Sequence, residues 1–141
     1  MKHTKVIVAL GSNHRQEEHI GKATELMAHL LDDYQTTPCL WTQPIGIDSD
    51  RFLNTLATGT TTLTQEALMK QLKQLEQLLG DSREQRRKGI VLIDIDLLQY
   101  GTTKLKEEDW ERPYIRELEE LIIHNSPDSL TLEGAAKPKG N

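Results

Sequence analysis

The feature that most constrains the fold is the run Ile90-Val91-Leu92-Ile93-Asp94-Ile95-Asp96-Leu97-Leu98. It is apolar and rich in β-branched residues except at two carboxylates spaced i, i+2. Successive side chains on a strand point to opposite faces. A strand over 90–98 therefore sends Val91, Ile93, Ile95 and Leu97 into a core and Leu92, Asp94, Asp96 and Leu98 to the other face. Both carboxylates then leave one face, roughly 7 Å apart at the backbone. That spacing suits hard cations such as Mg²⁺, which take oxygen ligands and substrate phosphates. A solvated sheet face is the competing reading, although Asp is depleted in strands.

The remaining periodicity supplies the partners this strand needs. Residues 5–10 read as a short buried strand ending at Gly11-Ser12-Asn13, whose small and amide side chains suit a turn and a helix N-cap. Ile20, Ala23, Leu26, Met27, Leu30 and Leu31 form a helical stripe over 15–31, ended by Asp32-Asp33. The stretch 34–41 is extended and interrupted by Pro38, as an edge strand allows. Thr42 to Asp50 reads as a loop, and 52–62 as a strand with Phe52, Asn54, Leu56 and Thr58 on one face. Thr64 caps a helix over 65–79, with Leu68, Leu72, Leu75 and Leu79 on one side and Gly80 as its stop. Residues 81–89 read as a charged loop carrying Arg83, Arg86, Arg87 and Lys88. Arg112-Pro113-Tyr114 opens a last short helix with Leu118, Leu121 and Ile122 on one side. The order β-α-β-β-α-β predicts an α+β fold of the ferredoxin-like βαββαβ type, an antiparallel sheet with helices packed on one face. Residues 1–124 form one domain, and 125–141 are expected to be a poorly ordered tail.

Composition narrows the functional classes. The chain has 141 residues, 36% hydrophobic, enough for one modest core. With 17 Lys+Arg against 22 Asp+Glu, the formal charge is −5, which disfavours a general nucleic-acid surface. A single cysteine, Cys39, excludes an internal disulfide and a thiolate zinc cluster and fits a reducing cytoplasm. No leader-like or membrane-length apolar segment is read, so the expected location is cytoplasmic. Oligomeric state is not legible in these features.

Five blocks occur in a familiar order: Ala9-Leu10-Gly11-Ser12-Asn13, Thr42-x-Pro44-Ile45-Gly46, Phe52-Leu53-Asn54, the Glu76 helix ending at Gly80, and Ile93-Asp94-Ile95-Asp96-Leu97-Leu98-x-Tyr100-Gly101. Together they resemble 6-hydroxymethyl-7,8-dihydropterin pyrophosphokinase, a folate-pathway family, over roughly residues 5–114. The resemblance implies transfer of diphosphate from ATP to the hydroxymethyl group of a pterin with two Mg²⁺ ions. It implies that Asp94 and Asp96 are catalytic metal ligands. It likewise assigns the pterin to Thr42, Pro44, Ile45, Phe52 and Asn54, and the nucleotide side to Glu76, Arg83 and Arg87.

The chain departs from the family pattern at several cationic positions. Val91 stands where an arginine is usual three residues before the first Asp. Asp81 replaces an arginine after the helix-ending glycine, and Tyr114 replaces a histidine after the proline. Each lost charge-assisted contact is worth roughly 1.5–3 kcal/mol. The expectation is a transferase of reduced activity, with Arg86, Arg87, Lys88 and Arg112 as the cations left to replace the missing ones. The alternatives are a degenerate paralogue that binds a pterin-like molecule without transfer, or a scaffold that keeps only the fold.

Overall fold

The computed structural model describes residues 2–46 and 49–125. Its six-stranded sheet contains β1 (Thr4–Ser12), β2 (Asp32–Thr36), β3 (Leu40–Thr42), β4 (Phe52–Thr61), β5 (Asp94–Tyr100) and β6 (Thr103–Lys104). The helices are α1 (Gln16–Leu30), α2 (Gln65–Leu78), α3 (Arg83–Arg87), α4 (Glu107–Trp110) and α5 (Pro113–Asn125). The strands run β2-β4-β1-β5-β6, with β3 pairing to β4 beyond β2, and every pairing is antiparallel. β1 and β2 thus flank β4, the split βαβ arrangement expected from the sequence.

The alternation read from the sequence decides which residues go where. Val6, Val8 and Leu10 of β1, Leu53 and Ala57 of β4, and Ile93, Ile95 and Leu97 around β5 meet Ile20, Ala23 and Met27 of α1 and Leu68 and Leu72 of α2. This is the core on the face that α1 and α2 cover. The opposite face has a second, smaller cluster. Leu56 and Leu98 are covered there by Trp110, Ile115 and Leu118 from α4 and α5. The last helix begins at Pro113, the first-turn position where a missing N–H costs nothing.

Several sequence expectations are corrected at the element ends. The strand drawn over 90–98 enters the sheet only at Asp94. The backbone ahead of it is tied instead to the turn after β1 and to residues 81–85, Ile90 N–H donating to Gln85 O at 2.9 Å and Asn13 N–H to Val91 O at 3.0 Å. Val91 N–H donates to Asn13 Oδ1 at 2.7 Å, and Leu92 N–H to Asp81 Oδ1 at 3.1 Å. Asn13 is not a helix cap; β1 runs on through Ser12, and Arg15 takes the cap position in the left-handed region. Residues 81–89 are not simply a loop. Ser82 caps the short α3, its hydroxyl accepting from Gln85 N–H, with Glu84 at the positive end and Arg86 and Arg87 at the negative end. The expected tail starts at the last residue of α5, and residues 126–141 lie outside the described residues. Among the described residues no helix is long and apolar enough to cross a membrane.

Candidate functional site

The site is built on the register of three strands. Gly11 of β1 lies opposite Asn54 of β4 on one side and Asp94 of β5 on the other. One row along, Ala9 lies between Leu56 and Asp96. Cross-strand neighbours share a face, so the amide and both carboxylates project together over small residues on the central strand. A Cβ at Gly11 would stand 3.1 Å from Asn54 Oδ1 and 3.7 Å from the Phe52 ring, so the absent side chain is what lets those two lie across β1. The resulting cavity, about 230 Å³, is lined by Asn54, Asp94 and Asp96 and walled by Asp109, Arg112 and Tyr114.

On the amide side, Asn54 is buried and its Nδ2 donates to Thr42 Oγ1 at 2.8 Å and to Leu40 O at 3.2 Å. These bonds fix the amide orientation. Thr42 is in register with Phe52 across the β3–β4 pair. The structure therefore gathers Thr42, Phe52 and Asn54. Pro44 and Ile45 follow on the loop, Pro44 half-buried and Ile45 57% exposed.

On the acidic side each carboxylate has its own cation. Arg86 Nη2 donates to Asp94 Oδ1 at 3.3 Å, and Lys106 Nζ lies 3.5 Å from Asp96 Oδ1. Burial, reinforced by the Asp94 charge, pushes the Asp96 carboxyl up to about 6 despite Lys106. The Asp96 carboxylate in turn raises the Lys106 ammonium. Among the described residues no group of three or more His, Cys, Asp or Glu side chains could hold a metal ion. Two carboxylates on one face fit a hard cation whose other positions come from phosphate and water.

Of the nucleotide-side expectations, Glu76 is buried away from the cavity. Its Oε2 accepts from Ile95 N–H at 2.6 Å, with Lys73 at 3.3 Å and Arg86 at 3.8 Å, so it ties α2 to β5. Arg83 and Arg87 stand exposed on α3. Sequence reasoning missed the role of Asn13. It accepts from Val91 N–H, donates from Nδ2 to Gly89 O at 2.8 Å, and receives a backbone pairing, Asn13 N–H to Val91 O at 3.0 Å. It thereby fixes the entry to β5 and the height of both aspartates. The readable sign of α3 was the spacing Ser82-x-x-Gln85, a capping box.

A larger hollow, about 800 Å³, lies at the other end of the sheet between β2, β4 and the end of α5, with Tyr34, Thr58, Gln99, Leu121 and Ile122 in its wall. Among the described residues its wall holds no carboxylate pair, so chemistry rather than size selects the smaller cavity.

Fold and site together define an α+β domain of the split βαβ kind with an amide anchor and an acid pair on one sheet face. Residues 7–125 match the 7,8-dihydro-6-hydroxymethylpterin-pyrophosphokinase (HPPK) family, and the chain belongs to it. It is 32% identical over 122 residues to the folate synthesis bifunctional protein of Arabidopsis thaliana, covering 79% of this chain and 25% of that protein. It is 30% identical over 119 residues to the folate synthesis bifunctional protein of Chlamydia caviae, covering 79% of this chain and 27% of that protein. The chain thus spans about a quarter of the length of these relatives.

Proposed function

We propose that this chain is a folate-pathway pyrophosphokinase that moves the β,γ-diphosphate of ATP onto the hydroxymethyl group of a dihydropterin, with Mg²⁺, at reduced rate. The single observation that carries the reading is the pair of cross-strand rows: Asn54 and the acid pair open into one cavity in a chain of this family. The pterin would lie against Phe52, its ring edge exchanging hydrogen bonds with the fixed Asn54 amide. Thr42 holds that amide, and Pro44 and Ile45 close the loop side. Asp94 and Asp96 would hold Mg²⁺ together with the nucleotide phosphates, and the ions supply charge that neutralises the transferring group. The hydroxymethyl oxygen attacks the β-phosphorus, the bond from that phosphorus to the α–β bridging oxygen breaks, AMP leaves with the bridging oxygen, and the hydroxyl proton passes to water. Arg83 and Arg87, exposed beside the entry to β5, add positive charge on the nucleotide side.

The reduced rate follows from the departures from the family's cationic pattern: Tyr114 lines the cavity, and Val91 is buried at the entry to β5. Val91 and Tyr114 carry no fixed positive charge, and losing one positioned electrostatic contact costs about 2.7–4 kcal/mol in transfer chemistry. The test is AMP release from ATP, dependent on both Mg²⁺ and hydroxymethyl-dihydropterin. Turnover at least about a hundredfold below that of a complete family member is expected. No transfer, with the pterin still bound, would favour the binding-only paralogue; no binding of either ligand would favour the scaffold. Asn54→Ala should weaken pterin binding by about 1–3 kcal/mol, because its ring partner is left unpaired. Calorimetric titration with the pterin checks this, and unchanged affinity would remove Asn54 from the pocket.

A further inference from the structure

The sequence leaves four cations for the polyphosphate side, and the structure separates them. Arg87 and Lys88 stand exposed at the end of α3. Arg112 lies in the cavity wall with its Nε 3.4 Å from Asp109 Oδ1. Arg86 is held from several sides. Its Nε donates to Asp81 Oδ2 at 2.6 Å, and its Nη2 donates to Ile93 O at 3.1 Å and to Asp94 Oδ1 at 3.3 Å, with Glu76 Oε1 at 3.8 Å.

Asp81 is itself fixed. Its side chain is 7% exposed. Its Oδ1 accepts from Leu92 N–H at 3.1 Å and Ile93 N–H at 3.5 Å while Oδ2 takes Arg86. One carboxylate therefore ties α3 to the start of β5 and sets a guanidinium beside Asp94. The Arg86 side chain keeps 34% exposure. A planar donor ordered before any ligand arrives needs no further ordering to meet an anion.

We propose that Arg86 is the fixed positive charge that receives the polyphosphate in this chain, and that Asp81 is the residue that positions it. The proposal rests on the pyrophosphokinase reading above. It gives the acid at position 81 a purpose: the pair has no net charge of its own, and Asp81 holds the Arg86 guanidinium in place beside the first aspartate. Phosphate-transfer sites elsewhere use the same device, a cation held by a carboxylate from a neighbouring element.

The experiment measures the Kd of ATP by calorimetry, with Mg²⁺ and again in EDTA, on the full chain and its variants. Melting temperature and the Kd of the pterin are recorded for each. Arg86→Lys keeps the charge but loses the fork, and should weaken ATP binding about tenfold. Arg86→Gln combined with Asp81→Asn removes both members of the buried pair, leaves Glu76 with Lys73 and Asp94 36% exposed to water, and should weaken ATP binding by about 10- to 100-fold in both buffers, the melting temperature checking the fold. Pterin affinity should stay within about twofold. Asp81→Asn alone should weaken ATP binding, and adding it to Arg86→Gln should cost nothing more, since both act through one guanidinium. Additive losses would overturn the positioning role of Asp81. Lys22→Gln, which removes the same charge from α1, should leave ATP affinity unchanged; an equal loss there would reduce the effect to net charge and overturn the proposal. Wild-type protein that binds ATP while the Arg86 variants bind it equally well overturns the proposal alone. Wild-type protein that binds no ATP overturns the pyrophosphokinase reading with it.

Discussion

A carboxyl buried beside another carboxylate holds its proton to higher pH, and the pKa of Asp96 is pushed up to about 6. The unfolded chain releases the same proton near about pH 3.9. Between these values the folded state binds more protons, so the Asp96 contribution is fully present below pH ~4 and is lost as pH rises through ~6. Asp96→Asn is neutral throughout. It should raise the stability of the metal-free protein at pH 8 by on the order of 2 kcal/mol relative to its effect at pH 4. Urea denaturation in EDTA at the two pH values checks this; an equal effect at both would contradict it. Tyr34 offers a simpler case. Among the described residues its buried hydroxyl has no hydrogen-bond partner, and burial pushes its pKa up to about 12. Tyr34→Phe removes that unpaired donor and should leave the fold as stable as before, or more stable by about 1 kcal/mol. A clear loss in urea midpoint would show that the hydroxyl has a partner in solution.

At the level of elements, β5 is the part the sequence half disclosed. The i, i+2 aspartates and the alternation from Ile93 to Leu97 were legible because a strand with one buried face must alternate. Where pairing begins was not legible, because residues 90–93 are as apolar as the strand itself. Val91 and Leu92 donate their N–H groups to Asn13 and Asp81, which lie 78 and 11 residues away in sequence. No local pattern encodes a contact of that range. Asn13→Ala should therefore cost about 2–3 kcal/mol, since it leaves the buried Val91 N–H without its acceptor. Chemical denaturation measures this, and a cost below about 0.5 kcal/mol would mean that another group supplies the acceptor. The same limit explains the site residues. Asn54 and Thr42 were readable from motif blocks, whereas the bonds of Arg86 to Asp81 and Asp94 depend on how a short helix docks.

Across the whole molecule, the sequence conveyed one layer of helices and the structure has two. α1 and α2 follow from strong apolar stripes. The layer of α4 and α5 rests on Trp110, Ile115 and Leu118, too few residues to announce a second core until Leu56 and Leu98 are seen facing them. That layer also supplies Tyr114 and Ile115 to the cavity wall. Leu118→Ala should cost about 2–5 kcal/mol. It should also lower pterin affinity, through a wall that no longer stays closed. Paired urea and calorimetric titrations check both, and a stability loss with unchanged pterin binding would separate the layer from the site. The bare stretch of β1 at Ala9 and Gly11 has a different consequence. With nothing tall between them, the amide on β4 and the acids on β5 are separated by two inter-strand spacings, roughly 10 Å. The sheet acts as a ruler whose marks are set by backbone hydrogen bonds, and side-chain substitutions elsewhere cannot rescale it. Under the proposed reaction, a ring seated at Asn54 is admitted by the reach of its arm toward Asp94, so the molecule selects its acceptor by length as much as by hydrogen bonding.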